Sequence, residues 1–235
     1  MQTHHKRGLA VLFGSGFLMT GILILWIALL PTPDLTAFEQ RQVVQSTKIY
    51  DRTGEVLLYD LSQDVRRSIV PLSDISPYIQ NATIALEDDR FYQHFGIRPI
   101  SFIRAVLVNI VSGSFAQGGS TITQQVVKNS ILTVDKSISR KIKEWIIAIK
   151  LEQSYSKDQI LSVYLNESPY GGNLYGIEEA TQAFFGKSSN DVSIAEAAYL
   201  AALPRAPTFY SPYGNNRESL EERKNFALQR MLDLG

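Results

Sequence analysis

Cysteine is absent from the 235 residues, which removes disulfides, thiolate metal sites and a cysteine nucleophile together. Net charge is also absent, with 23 Lys and Arg set against 23 Asp and Glu, so the basic excess of a nucleic-acid binder is missing. Glycine (15) and proline (9) are ordinary, and 45% of residues are hydrophobic. Collagen-like and disordered chains are therefore excluded. The length leaves room for one domain and an appendage.

A local absence is more telling. No charged residue stands between Arg7 and Asp34, and the centre of that run, LAVLFGSGFLMTGILILWIALL, matches the roughly 20 apolar residues that a bilayer core needs. A cleavable signal peptide has an apolar region of only about 7 to 15 residues ending at small residues. This run is longer and ends in Trp26-Ile27-Ala28-Leu29-Leu30-Pro31, so an uncleaved anchor is expected. Lys6 and Arg7 before it place the N-terminus in the cytoplasm by the positive-inside rule. The expected organisation is a cytoplasmic tail at 1–7, a single transmembrane anchor at 8–30, a linker with a β-hairpin at 31–75 and the functional domain at 76–235. With two of the 23 cations in the tail, the outer part is acidic by two charges. An anionic ligand there needs local cations.

The outer part reads as mainly α with a small β element. Thr47 to Tyr50 and Glu55 to Tyr59 flank a Gly-containing loop and predict a hairpin. Ser76 followed by Pro77 predicts a helix start, and Ser156 with Gln159 and Ser193 with Glu196 have capping-box spacing. The helix from Pro77 is expected to run towards Gly96 as its stop. Ala195 to Pro204 reads as a close-packing helix.

Three stretches carry candidate chemistry. Glu87-Asp88-Asp89 places three carboxylates near a helix C-terminus, where the macrodipole favours cations; either this is a solvated acidic turn, or one carboxylate acts as a general base. In Gly118-Gly119-Ser120-Thr121-Ile122-Thr123-Gln124-Gln125, Ser120 is expected to cap a helix bearing Gln124, Gln125, Lys128 and Asn129, and the Gly-Gly entry offers amides to an anion. On Lys136 to Glu152, at about 100° per residue, Lys136, Arg140, Lys143 and Glu144 share one sector. Ile147 and Leu151 fall in that sector too. Partly buried Lys143 and Glu144 would then need partners or a ligand.

The ordered strings EDxRFxxHxG, GGSTITQQxxKN, RKxxE, ILxxYLN and AEAAxLAALP resemble the motif series of the family 51 peptidoglycan glycosyltransferases, which occur as monofunctional enzymes and as the N-terminal half of class A penicillin-binding proteins. The resemblance spans about 49–235. It implies a lysozyme-like, mainly α glycosyltransferase domain that polymerises lipid II into a growing β-1,4 glycan strand, with inversion and release of undecaprenyl pyrophosphate. By position, Glu87 corresponds to the catalytic base and Glu144 to the second functional carboxylate. Arg90, Lys128, Lys136 and Lys143 correspond to pyrophosphate-holding cations, and Ser120, Gln124 and Gln125 to polar substrate contacts. Arg98 departs from the family pattern, which has an acidic or amide residue there. Some members use Mg2+ or Mn2+ at the pyrophosphate, and the sequence names no metal ligand of its own. The implied setting is the outer face of the cytoplasmic membrane, with membrane lipid and a cell-wall synthesis complex as partners and no nucleic acid. The apolar stretch Ile100 to Val111 corresponds to a region that dips into the bilayer. The hairpin and the stretch Arg223 to Met231 resemble the bifunctional proteins, where a transpeptidase domain follows. A lysozyme-like peptidoglycan hydrolase also uses paired carboxylates, but has no use for the cations. A non-catalytic cell-wall scaffold would not need both glutamates.

Overall fold

A computed structural model describes residues 18–22, 24–32, 34–35, 48–50, 52–53, 57–60, 66–112, 118–130 and 137–235. The expected hairpin forms: β1 (Lys48–Tyr50) pairs antiparallel with β2 (Leu57–Asp60), Ile49 opposite Tyr59. A second, three-stranded sheet was not legible in the sequence, because its strands are only two or three residues long. In it β3 (Arg66–Arg67) runs parallel to β5 (Leu174–Tyr175), and β4 (Pro169–Gly171) lies antiparallel on the other edge of β5.

The rest is helical. In α1 (Pro77–Glu87) the Ser76 hydroxyl accepts the Tyr78 amide, as expected from the Ser-Pro start. The helix stops at Glu87, short of Gly96, and the chain passes through a 3-10 turn at Phe91–Gln93. Gly96 has another use. Its φ of +79° lies in the left-handed region, and a Cβ there would stand 2.7 Å from the Ala148 carbonyl oxygen, so only glycine admits this approach.

Next come α2 (Pro99–Ser112), α3 (Ile122–Ser130), α4 (Ile138–Ser154) and α5 (Lys157–Glu167). They are followed by α6 (Ile177–Phe185), α7 (Ile194–Ala202) and α8 (Arg217–Leu234). Both predicted capping boxes are present, at Ser156 with Gln159 and at Ser193 with Glu196. Helices α1, α7 and α8 pack on one another, and α3 packs on α4 and α5. The alanines of α7 allow the close approach: Ala197, Ala198, Ala201 and Ala202 are buried. The core joins Ile79, Phe91, Ile122, Val127, Ile147, Leu151, Leu161 and Leu200. Burial of Ile147 and Leu151 makes the face of α4 that carries Glu144 an inward one, while Ile142 is exposed.

The expected anchor is described at 18–22 and 24–30, where residues 18–22 and 24–29 are helical and Leu18, Met19, Ile22, Ile24, Leu25 and Leu29 are exposed. Its residues 8–17 and 23 lie outside the described residues. Among the described residues no helix is long and apolar enough to cross a membrane. The segment's end is seated on α4: Lys150 Nζ donates to the carbonyls of Ala28 (3.2 Å) and Leu30 (2.8 Å). The Tyr155 hydroxyl accepts the Leu35 amide, and Leu35 is buried.

Candidate active site

Each of the three clustered carboxylates after α1 has its own cationic partner, which answers the macrodipole objection. Glu87 Oε1 accepts from Arg223 Nη2 of α8 at 2.8 Å, and its Oε2 accepts from Gln125 Nε2 of α3 at 2.8 Å. Asp88 is buried; Arg98 Nη1 donates to its Oδ1 at 3.2 Å, while its Oδ2 accepts the Ile122 amide at 3.2 Å and lies 2.8 Å from His94 Nε2. Asp89 is gripped by Arg98 at 2.5 Å and Arg230 at 2.7 Å. Burial pushes the Asp89 carboxyl up, but the two guanidiniums outweigh it and hold the group below its ordinary value. The acidic run is thus a built cluster, and Arg98, which departs from the family pattern, bridges two of its members.

The Gly118-Gly119 entry leads into α3 with a cap one residue later than expected. Thr121 Oγ1 accepts the Gln124 amide (3.1 Å), and Gln124 Oε1 accepts the Thr121 amide (2.8 Å), the reciprocal pair of a capping box. Gln124 is therefore buried and engaged with its own helix. Thr121 also donates to the Gly96 carbonyl at 2.6 Å, which fastens this entry to the loop after Glu87. Gln125 is turned to Glu87, whereas Lys128 and Asn129 are exposed.

On α4, Glu144 is only 1% exposed, and a carboxylate so buried requires a cation. Its partner is Lys141, three residues earlier, whose Nζ also donates to Ser120 Oγ at 2.9 Å. The sequence reading passed over Lys141 because it stands off the sector that holds Lys143. A long side chain reaches across the i,i+3 spacing, and the RKxxE string itself contains this lysine. Lys143 is half-buried, Arg90 is exposed, and Lys136 lies outside the described residues.

Ser120 and Gln125 thus link the two glutamates: Ser120 meets the cation of Glu144, and Gln125, five positions on, meets Glu87. Arg223 is the other contributor that sequence reasoning missed. It lies 136 residues from Glu87, beyond any local pattern. Tyr164 of α5 is buried beside this pair; burial first, then the Glu87 charge, raises its hydroxyl well above the ordinary value. A cavity of about 340 Å³ is lined by residues that include Tyr92, His94, Phe95, Glu152, Tyr155 and Lys157. It borders the acidic cluster through His94, while none of the candidate residues lines it.

A protein-held divalent cation does not fit these residues. Glu87 is paired with Arg223 and Glu144 with Lys141, so the charge of each carboxylate is already met by a side-chain cation. Among the described residues no group of three or more His, Cys, Asp or Glu could hold a metal.

Two carboxylates, Glu87 at the end of α1 and Glu144 on α4, joined through the Ser120 to Gln125 segment, are the kind of pair that glycosyl chemistry uses. The transglycosylase family model matches residues 54–232. The chain belongs to that family, and the activity of the family is peptidoglycan glycosyl transfer. It is 41% identical over 219 residues to penicillin-binding protein 1A of Aquifex aeolicus, a match taking in 93% of this chain and 30% of that protein. It is 40% identical over 234 residues to penicillin-binding protein 1A of Neisseria gonorrhoeae, covering 97% of this chain and 29% of that protein. The crystal structure of penicillin-binding protein 1A from Haemophilus influenzae aligns with 75% of this chain and 16% of its own, at 25% identity and a TM-score of 0.42. The chain spans about 30% of the length of the curated relatives it matches.

Proposed function

We propose that the chain polymerises lipid II on the outer face of the cytoplasmic membrane, through a lysozyme-like domain, with Glu87 as the general base. The observation that carries this reading is the segment from Ser120 to Gln125, whose two ends engage Glu87 and the Lys141–Glu144 pair. Each oxygen of an ionised carboxylate has two lone pairs. Arg223 and Gln125 occupy one on each oxygen of Glu87, and a further lone pair remains for the 4-hydroxyl proton of the acceptor sugar. As that proton moves to Glu87, the hydroxyl oxygen bonds to C1 of the donor. The bond from C1 to the diphosphate oxygen breaks with its electron pair on the diphosphate, and the α linkage becomes β.

The leaving group develops charge where fixed cations are most useful. Lys128 and Lys143 have no role in the core and are the cations offered to it, with Arg90 and Lys136 as further members. Lys141 holds Glu144 ready near the donor. The apolar run at 8–30 anchors the domain beside its lipid substrate, and the seating of Ala28, Leu30 and Leu35 on Lys150 and Tyr155 supports that arrangement.

Glu87→Gln keeps the shape and one acceptor oxygen while removing the base and the charge opposite Arg223. Lipid II polymerisation should fall by about 10²- to 10⁴-fold, the usual worth of general-base catalysis, with a cooperative thermal transition retained at a lower temperature. A near wild-type rate would sink the base assignment. Degradation of preformed peptidoglycan, with no polymer formed from lipid II, would favour a hydrolase.

A further inference from the structure

The most unusual contact of the site comes from the far end of the chain. Arg223 is 9% exposed and lies in α8, where its Nε donates to the Ala202 carbonyl at 3.1 Å and its Cζ stands 5.6 Å over the Tyr210 ring. These two contacts fix the guanidinium plane before Nη2 reaches Glu87. Burial lowers the affinity of Arg223 for its proton, the Glu87 charge restores part of it, and the Arg205 charge acts against it. Stability alone does not explain such an arrangement. A buried ion pair can often be exchanged for apolar residues of similar volume without loss, and α7 and α8 are otherwise packed through Ala201, Ala202, Leu220 and Ala227. What apolar packing cannot do is fix the rotamer of a carboxylate.

We propose that Arg223 is a positioning residue for Glu87, holding the carboxylate in the orientation from which it takes the acceptor proton. Arg223 fixes one oxygen from α8 while Gln125 fixes the other from α3, so the carboxylate plane is set by two helices that do not depend on substrate. Arg230, two turns further along α8, grips Asp89 in the same way. Helix α8 thereby holds both the last residue of α1, which is the base, and the loop that follows it. The inference rests on Glu87 being the base.

The test is initial-rate polymerisation of lipid II by the full chain with Arg223→Ala and Arg223→Lys, with thermal unfolding followed alongside. Misplacing a catalytic group by about 1 Å costs roughly 100-fold. Arg223→Ala should therefore lower kcat by about 10- to 100-fold with KM for lipid II unchanged, because Arg223 does not touch the substrate. Lysine can satisfy one of the two acceptors but not both, so Arg223→Lys should recover part of kcat. Should Arg223→Ala fail to fold, Arg223→Lys decides alone, with kcat reduced and KM unchanged as the expected result. An unchanged kcat, a change in KM that accounts for the loss, or a folded lysine variant no better than a folded alanine variant would overturn the proposal. A fully active Glu87→Gln would instead overturn the base assignment on which it rests, and the two failures are distinguished by that variant.

Discussion

The Asp88 carboxylate accepts the backbone amide of Ile122 at 3.2 Å, and this bond joins the residue after Glu87 to the first turn of the helix carrying Gln125. The same carboxylate meets His94 and Arg98. Asp88 is thus the hub that keeps two motifs, far apart in sequence, in register.

Asp88→Ala should therefore destabilise the domain more than any change at the exposed positions. It strips a partner from a part-buried guanidinium, which keeps Asp89, from an imidazole and from a helix N-terminal amide at once. Removing one member of a buried charged pair costs about 3–5 kcal/mol, so the urea midpoint should fall steeply. Asp88→Asn, which retains one acceptor oxygen, should fall less. A midpoint for the alanine variant within error of wild type would show that the hub is dispensable.

Lys141 and Lys143 separate two meanings of a cationic helix. Lys141→Ala leaves Glu144 buried without its cation, so it should lose both stability, by about 3 kcal/mol or more, and polymerase rate. Lys143 is half-buried; Lys143→Ala should leave the melting temperature nearly unchanged while raising KM for lipid II. Parallel melting curves and rate measurements on the two variants check this. Equal melting temperatures would remove the distinction.

Signals were legible in the sequence wherever the partners are near along the chain. The caps at Ser76, Ser156 and Ser193 and the hairpin at Ile49 and Tyr59 follow from neighbours two to ten residues away. The reading failed where a contact closes over a long loop or where a phase shifts by one residue. The cap of α3 is expected at Ser120 and forms at Thr121, with Gln124 as its reciprocal partner. Composition could not reveal that one face of α4 is buried by Ile147 and Leu151 yet carries Glu144, though the shared sector hinted at it. Arg223 left no trace, because nothing about an arginine in an amphipathic C-terminal helix marks which carboxylate it meets.

The Asp89 grip should be visible in acid. Its folded carboxyl is held below the ordinary value of 3.8, so Asp89 contributes stability that is present above the unfolded pKa and lost as pH falls through the lower folded one. Arg230→Ala removes one of the two cations and should shrink that contribution. The difference in stability between wild type and Arg230→Ala should thus be largest near neutral pH and close below about pH 4, as urea titrations across pH would record. A difference that is constant with pH would mean that Arg230 acts by packing alone.

Helix α2 offers the last test, and the structure changes which residues it must use. Phe102 is not on the outer face: its ring meets Trp145 edge to face at 5.2 Å, Lys141 Nζ stands 5.8 Å over it, and Gly119 sits against its backbone. Phe102→Glu would disturb the Lys141 and Ser120 region and so confuse membrane contact with catalysis. Exposed apolar residues among the described ones include Ile100, Ile103, Leu107 and Val111, whose spacing of three and four residues puts them on one helical stripe. Such a stripe, next to an exposed Arg104, fits an interfacial helix. Burying a branched aliphatic side chain is worth about 1.5–3 kcal/mol, so Ile103→Glu with Leu107→Glu should weaken binding of an anchor-less chain to anionic vesicles by at least roughly 100-fold. Thermal stability in solution should be retained, because neither residue is buried. Undiminished vesicle sedimentation by the doubly substituted chain would place the membrane contact elsewhere.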